Sequence, residues 1–135
     1  MDNFYAFLHP VQTNLEKEVV ISKRFVDENG EPIPFKIRAL SQEENDRMLK
    51  QSTKVEIKNG QRVEYVDNVE YCRRLVVAAT VYPDFSAKEL CEGYDVASPL
   101  LVPVKMLLSG EYSTLVSEIM ELSGVDVDVN APVYE

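Results

Sequence analysis

"SKRFVDENGEPIPFKIRALS", Ser22 to Ser41, decides the fold. Val19, Ile21 and Phe25 fall on one face of a strand, and Ile33, Phe35 and Ile37 on one face of the next. Directly opposed residues of an antiparallel pair share a face. A two-residue Asn29-Gly30 loop would set Phe25 against Pro34 and mix the faces. A three-residue loop, Glu28-Asn29-Gly30, pairs Phe25 with Ile33 and Ile21 with Ile37. It leaves Gly30 at the left-handed position of a type I turn with a bulge, where a side chain is costly. A one-residue slip would expose the apolar set, so the longer loop is expected.

Further along, "TKVEIKNGQRVEYV" repeats the device. A Lys58-Asn59-Gly60 loop pairs Ile57 with Gln61 and Val55 with Val63, with Gly60 also left-handed. These strands are shorter and more polar, which predicts a hairpin projecting into solvent. The remaining chain reads as helices. Ser41 with Glu44, Asp67 with Glu70, and Ser86 with Glu89 have capping-box spacing. Val69, Cys72, Leu75, Val76 and Ala79 form an apolar stripe of a central helix that ends before Pro83. Gly93 reads as a left-handed stop for the short helix after Ser86. Ser98-Pro99 starts the next helix, with its first turn delayed or kinked by Pro103. The last helix runs from about Glu111 to Ser123 and stops at Gly124. The expected fold is α+β: two β-hairpins packed with a cluster of four to six helices, the sheet covered on one face, in a single domain. Residues 1–17 read as an N-terminal arm or a short docked helix, 18–124 as the folded domain, and 125–135 as a disordered acidic tail.

Composition narrows function. The 135 residues suit one domain, and 45% apolar with 27% charged is ordinary for a globular protein. The longest apolar run, Leu75 to Tyr82, is too short for a membrane span. The net charge of −9 is uneven: residues 67–135 carry 4 Lys and Arg against 12 Asp and Glu. Such a half repels nucleic acid and suits either solubility or a basic partner. Cys72 and Cys91 lie apart within helices and read as small buried hydrophobes of a reducing compartment. The one histidine, His9, precedes Pro10 in the arm, so neither a catalytic triad nor a multi-histidine metal site can be assembled. The glycines sit at turns and helix ends, outside any phosphate-binding loop. Glu44 is absorbed by its cap, and Asp126 and Asp128 lack calcium-loop spacing. No enzyme, cofactor or metal is expected. Tyr82, Phe85, Tyr94 and Tyr112 suit either the rim of the core or a recognition surface.

The final two helices carry more aliphatics than one core face needs, from Leu100 to Leu122. Either all are core, or part of the set lines a groove for an amphipathic helix rimmed by Glu111, Glu118 and Glu121. The expected partner-binding residues are Leu108, Tyr112, Leu115, Glu118, Ile119, Glu121 and Leu122, with the carboxylates steering a Lys-rich partner.

Three blocks, "VVISKRFVDENGEPIPFKIRALS", "TVYPDFSAKELCEGYDV" and "MLLSGEYSTLVSEIMEL", resemble the XkdN-like tail assembly chaperones of contractile-tailed phages and prophages. The likeness spans about residues 18–124. Ser109 stands where proline is expected before Gly110, and Cys91 where a polar residue is expected. The resemblance implies a non-enzymatic protein of the bacterial host cytoplasm that acts while tails are built and is absent from the mature virion. Its implied partner is the tape measure protein, with tail tube subunits and self-association as further contacts, and neither nucleic acid nor membrane. It also implies a family often made in two lengths by frameshifting. The rival reading is a structural tail component retained in the particle.

Overall fold

In the first hairpin, the tip closes as expected. In the computed structural model, which describes residues 4–11 and 15–125, Asp27 N–H donates to the Glu31 carbonyl (2.9 Å) and Gly30 N–H to the Asp27 carbonyl (3.0 Å). Gly30 takes φ +80°, and the Asp27 carboxylate accepts from the amides of Asn29 and Glu31. Ile33 N–H donates to the Phe25 carbonyl, so that pair forms. Beyond it the register changes. Strand β1 (Glu16–Val19) pairs with β2 (Phe35–Arg38) so that Ile37 faces Lys17 and Phe35 faces Val19. Ile21, expected opposite Ile37, instead lies in an excursion of residues 20–24 that leaves the ladder. Two requirements drive it out: Ile21 and Ser22 are buried, and Arg24 reaches Glu111, 87 positions on in the chain. The displacement is even-numbered, so Val19 keeps the face it would have had.

A short strand that periodicity did not reveal completes this sheet. Helix α3 (Asn68–Ala79) runs directly into β5 (Thr80–Tyr82), which pairs with the other edge of β2, giving the order β1-β2-β5. Phe35 and Ile37 point to the core, and Lys36 and Arg38 to the opposite face. There Arg38 binds Glu44 bidentately (2.7 and 3.1 Å). That pairing, then the Ser41 amide, holds the Glu44 carboxyl down to about 2.

Local signals set most helix starts. Ser41 and Glu44 form the expected capping box of α2 (Gln42–Gln51), and Asp67 accepts from Glu70 N–H at the start of α3. The third box does not form. Asp84 takes the Ser86 amide, Ala87 becomes the cap, and α4 runs Lys88–Gly93. Gly93 is not left-handed; Asp95 is, at φ 55°. Ser98 caps a 3₁₀ turn, Pro99–Leu101, which leads into α5 (Val102–Met106), so Pro103 does delay the helix. Helix α6 (Ser109–Leu122) includes Ser109 and Gly110 in its first turn and ends before Gly124 at φ +82°. The core gathers Phe35 and Ile37, Leu75, Val76 and Ala79 of α3, Phe85, Val102, and Leu115 and Ile119 of α6.

The second hairpin differs from expectation. Strands β3 (Thr53–Lys58) and β4 (Gln61–Val66) pair Lys58 with Gln61 and Val55 with Glu64. The loop is therefore two residues, Asn59 and Gly60, both left-handed at φ 53° and 78°. Gly60 has the expected sign, but the loop length does not hold. With most of its side chains exposed, no burial fixed the register, and Asn-Gly imposed its favoured mirror-image turn. Before β1, the short helix α1 (Tyr5–Leu8) buries none of its residues. The 126–135 segment lies outside the described residues.

Candidate partner-binding groove

Where α3 meets the α5–α6 elbow, the surface opens into a groove of about 480 Å³ lined by Asn68, Val69, Cys72, Arg73, Val104 and Tyr112. Its origin lies in the α3 stripe. Leu75, Val76 and Ala79 are buried, as expected, but the first turn of the helix overhangs the core. Val69 is therefore 61% exposed, and Cys72 only half-buried. Opposite stands Val104, 40% exposed, beside the half-buried Tyr112; Leu108, one turn before Tyr112 and 59% exposed, lies outside the lining. Arg73 makes no ion pair among the described residues, so the groove has one available cation on an apolar floor.

The elbow is held by a residue that sequence reading passed over. Arg24 donates twice to the Glu111 carboxylate, 2.6 Å from Nη2 and 3.0 Å from Nε, and once to the Met106 carbonyl at the end of α5 (3.1 Å). Glu111 also accepts the Leu108 amide (2.8 Å), which closes the start of α6. Arg24, then Ser22 and that amide, hold the Glu111 carboxyl down to about 2. Glu111 is thus a bracket for the elbow, and the expected rim role is corrected.

The other expected contacts divide the same way. Leu115 and Ile119 are fully buried in the core and cannot line an open surface. Leu122 is half-buried, packed against the core. Lys17 of β1 binds Glu118 at 2.6 Å, so that carboxylate faces its own chain, while Glu121, 4.0 Å from the same ammonium, stays open to solvent. Leu108 and Tyr112 remain at the surface. Of the four aromatics, Phe85 is core, Tyr94 and Tyr112 are half-buried, and Tyr82 is exposed.

The groove suits contact better than covalent chemistry. Burial pushes up the pKa of the Cys72 thiol, the reverse of an activated thiolate. Burial, then Cys72, also raises that of Tyr112. His9, just after α1, stacks on Tyr5 with centroids 4.0 Å apart and lines no part of the groove. Among the described residues no cluster of His, Cys, Asp or Glu could hold a metal ion, and no helix is long and apolar enough to cross a membrane.

The described residues thus form a small α+β body with an open, largely apolar groove beside α3. The chain belongs to the family of phage XkdN-like tail assembly chaperones, whose pattern matches residues 4–135, beyond both ends of the likeness read from the sequence. It is 38% identical over 128 residues to the protein YqbN of Bacillus subtilis (strain 168), covering 92% of this chain and 86% of that protein. It is 35% identical over 134 residues to protein XkdN of the phage-like element PBSX of the same strain, covering 95% and 90%. The crystal structure of the protein YqbN superimposes with a TM-score of 0.75 at 32% identity, covering 93% of this chain and all of that one.

Proposed function

We propose that this chain is a non-enzymatic chaperone that holds the tape measure protein during tail assembly, in the host cytoplasm, and leaves before the virion matures. Membership of a tail assembly chaperone family supports the role. The observation that carries the contact is the groove: Val69 of α3 and Val104 of α5 are apolar and exposed, and they line it together with Cys72 and Tyr112. A long tape measure chain awaiting its tube presents amphipathic helix, and an apolar groove between helices accepts such a face. Fully burying a Val or Leu side chain contributes about 1.5–3 kcal/mol, so a few such contacts give useful yet reversible affinity. Arg73 offers a carboxylate of the client a partner that fixes its register, while the acidic α6 side disfavours nucleic acid.

Co-expression with a tape measure protein from the same phage or prophage, followed by affinity capture, tests the reading. Co-purification is expected, with the chaperone missing from purified particles. Failure to capture the client would remove the proposal; stoichiometric chaperone in finished virions would replace it with the structural tail component.

A further inference from the structure

We infer that the β3–β4 hairpin is a self-association element: β4 pairs antiparallel with β4 of a second copy, making a four-stranded sheet across a two-fold axis. The two strands form a sheet of their own, with both outer edges unpaired among the described residues. An isolated two-stranded ribbon is marginal in water, and this one leaves Val55, Ile57, Tyr65 and Val66 exposed. A free edge of six residues is a template for another strand.

The edge specifies which strand and in what register. A two-residue hairpin closes on a hydrogen-bonded pair, here Lys58 with Gln61, and such pairs then alternate along the ladder. The alternation reaches Ser52 and Asp67, and the Asp67 amide does donate to the Ser52 carbonyl at 2.8 Å. Gln61, Val63 and Tyr65 are therefore bonded inward to β3, and Arg62, Glu64 and Val66 present their backbone groups outward. Only outward residues can be bonded partners across a seam. Three central registers satisfy this for two antiparallel β4 strands. One sets Arg62 against Arg62 and another Glu64 against Glu64, and both oppose like charges. The third sets Arg62 of each copy against Glu64 of the other, with Val63 meeting Val63 on the axis. At present Arg62 and Glu64 bind each other along the strand at 2.7 Å, both well exposed, and that weak pair is readily exchanged for the cross-seam ones. The β3 edge has no unique solution, because Lys54 can face Glu56 or Glu56 can face Lys58, and Lys54 is already held by Glu70 at 2.7 Å. A β4 seam is isologous and closes as a dimer. It involves none of the residues that line the groove and does not depend on the client.

Sedimentation of the full chain tests this with three proteins. The unaltered chain should dimerise, and amide exchange at Arg62 and Glu64 should slow as its concentration rises, while exchange at Val63 and Tyr65 stays constant. Arg62→Glu or Glu64→Arg alone puts like charges across the seam twice and should weaken the dimer by about tenfold or more. Mixing those two variants restores opposite charges at every position and should give a heterodimer. A chain that stays monomeric at millimolar concentration, a dimer indifferent to both variants, a mixture that fails to pair, or open-ended polymers would each overturn the inference.

Discussion

Both hairpins turn on Asn-Gly, and they close differently. In the first, Asn29 is not left-handed and Gly30 alone takes positive φ, within a three-residue loop; in the second, Asn59 and Gly60 are both left-handed within a two-residue loop. The first serves a strand pair with Phe35 and Ile37 in the core, so burial dictates which residues oppose each other. The second has little buried to defend, and the turn's own preference decides. Apolar residues then fall on both of its faces. One hairpin is thus a wall of the body and carries Arg24 to the elbow; the other projects and keeps its edges open.

The largest contrast should appear on truncation. Phe35→Ala should cost about 3–5 kcal/mol in urea unfolding, and Ile57→Ala, at 67% exposure, within about 0.5 kcal/mol of zero. Comparable losses would mean that the second hairpin is also packed. Acid should discriminate next. Glu44 and Glu111 both titrate near 2 in the fold against an ordinary 4.5, so their contribution is complete above about 4.5 and fades as pH falls toward 2. Glu111→Gln should flatten that part of the stability–pH curve and loosen the α5–α6 elbow, read as faster amide exchange at Leu108; an unchanged slope would remove Arg24–Glu111 as a bracket. At the turns, Gly30→Ala and Gly60→Ala should each cost about 1–2 kcal/mol of local stability from left-handed geometry alone, since an added Cβ meets nothing within 4 Å at either site. The finest distinction is Asn29→Ala against Asn59→Ala. Only the second removes a left-handed asparagine, so only it should speed amide exchange across its hairpin.

What could be read in the residues follows the range of each interaction. The Ser41–Glu44 box, the Gly124 stop and the Gly30 bulge depend on neighbours within a few positions, and all formed as expected. The pairing of Ile21 failed because Arg24 answers to Glu111, a partner 87 positions away that no local pattern reports. The Ser86 amide went to Asp84, a nearer acceptor than Glu89, and the cap position passed to Ala87. Of the groove lining, Val104 belongs to the surplus aliphatics of the last helices and Tyr112 to the aromatics that suited either a core rim or a recognition surface. Leu115 and Ile119 share the same periodicity, and only packing separates core from groove. Val69 was read as core because helical spacing cannot tell where a helix outruns what it packs on. Glu118 was read as free because the Lys17 that binds it comes from β1.

Client capture by the groove is the claim on which the account turns. The direct measurement is titration of the tape measure product with the full chain and with a Val69→Asp, Val104→Asp variant whose urea midpoint is first shown to be near normal. The account predicts binding by the unaltered chain and an affinity at least about tenfold lower for the variant, since each change removes an apolar contact worth more than 1 kcal/mol and introduces a charge to be desolvated. Equal affinity for the two proteins would contradict it.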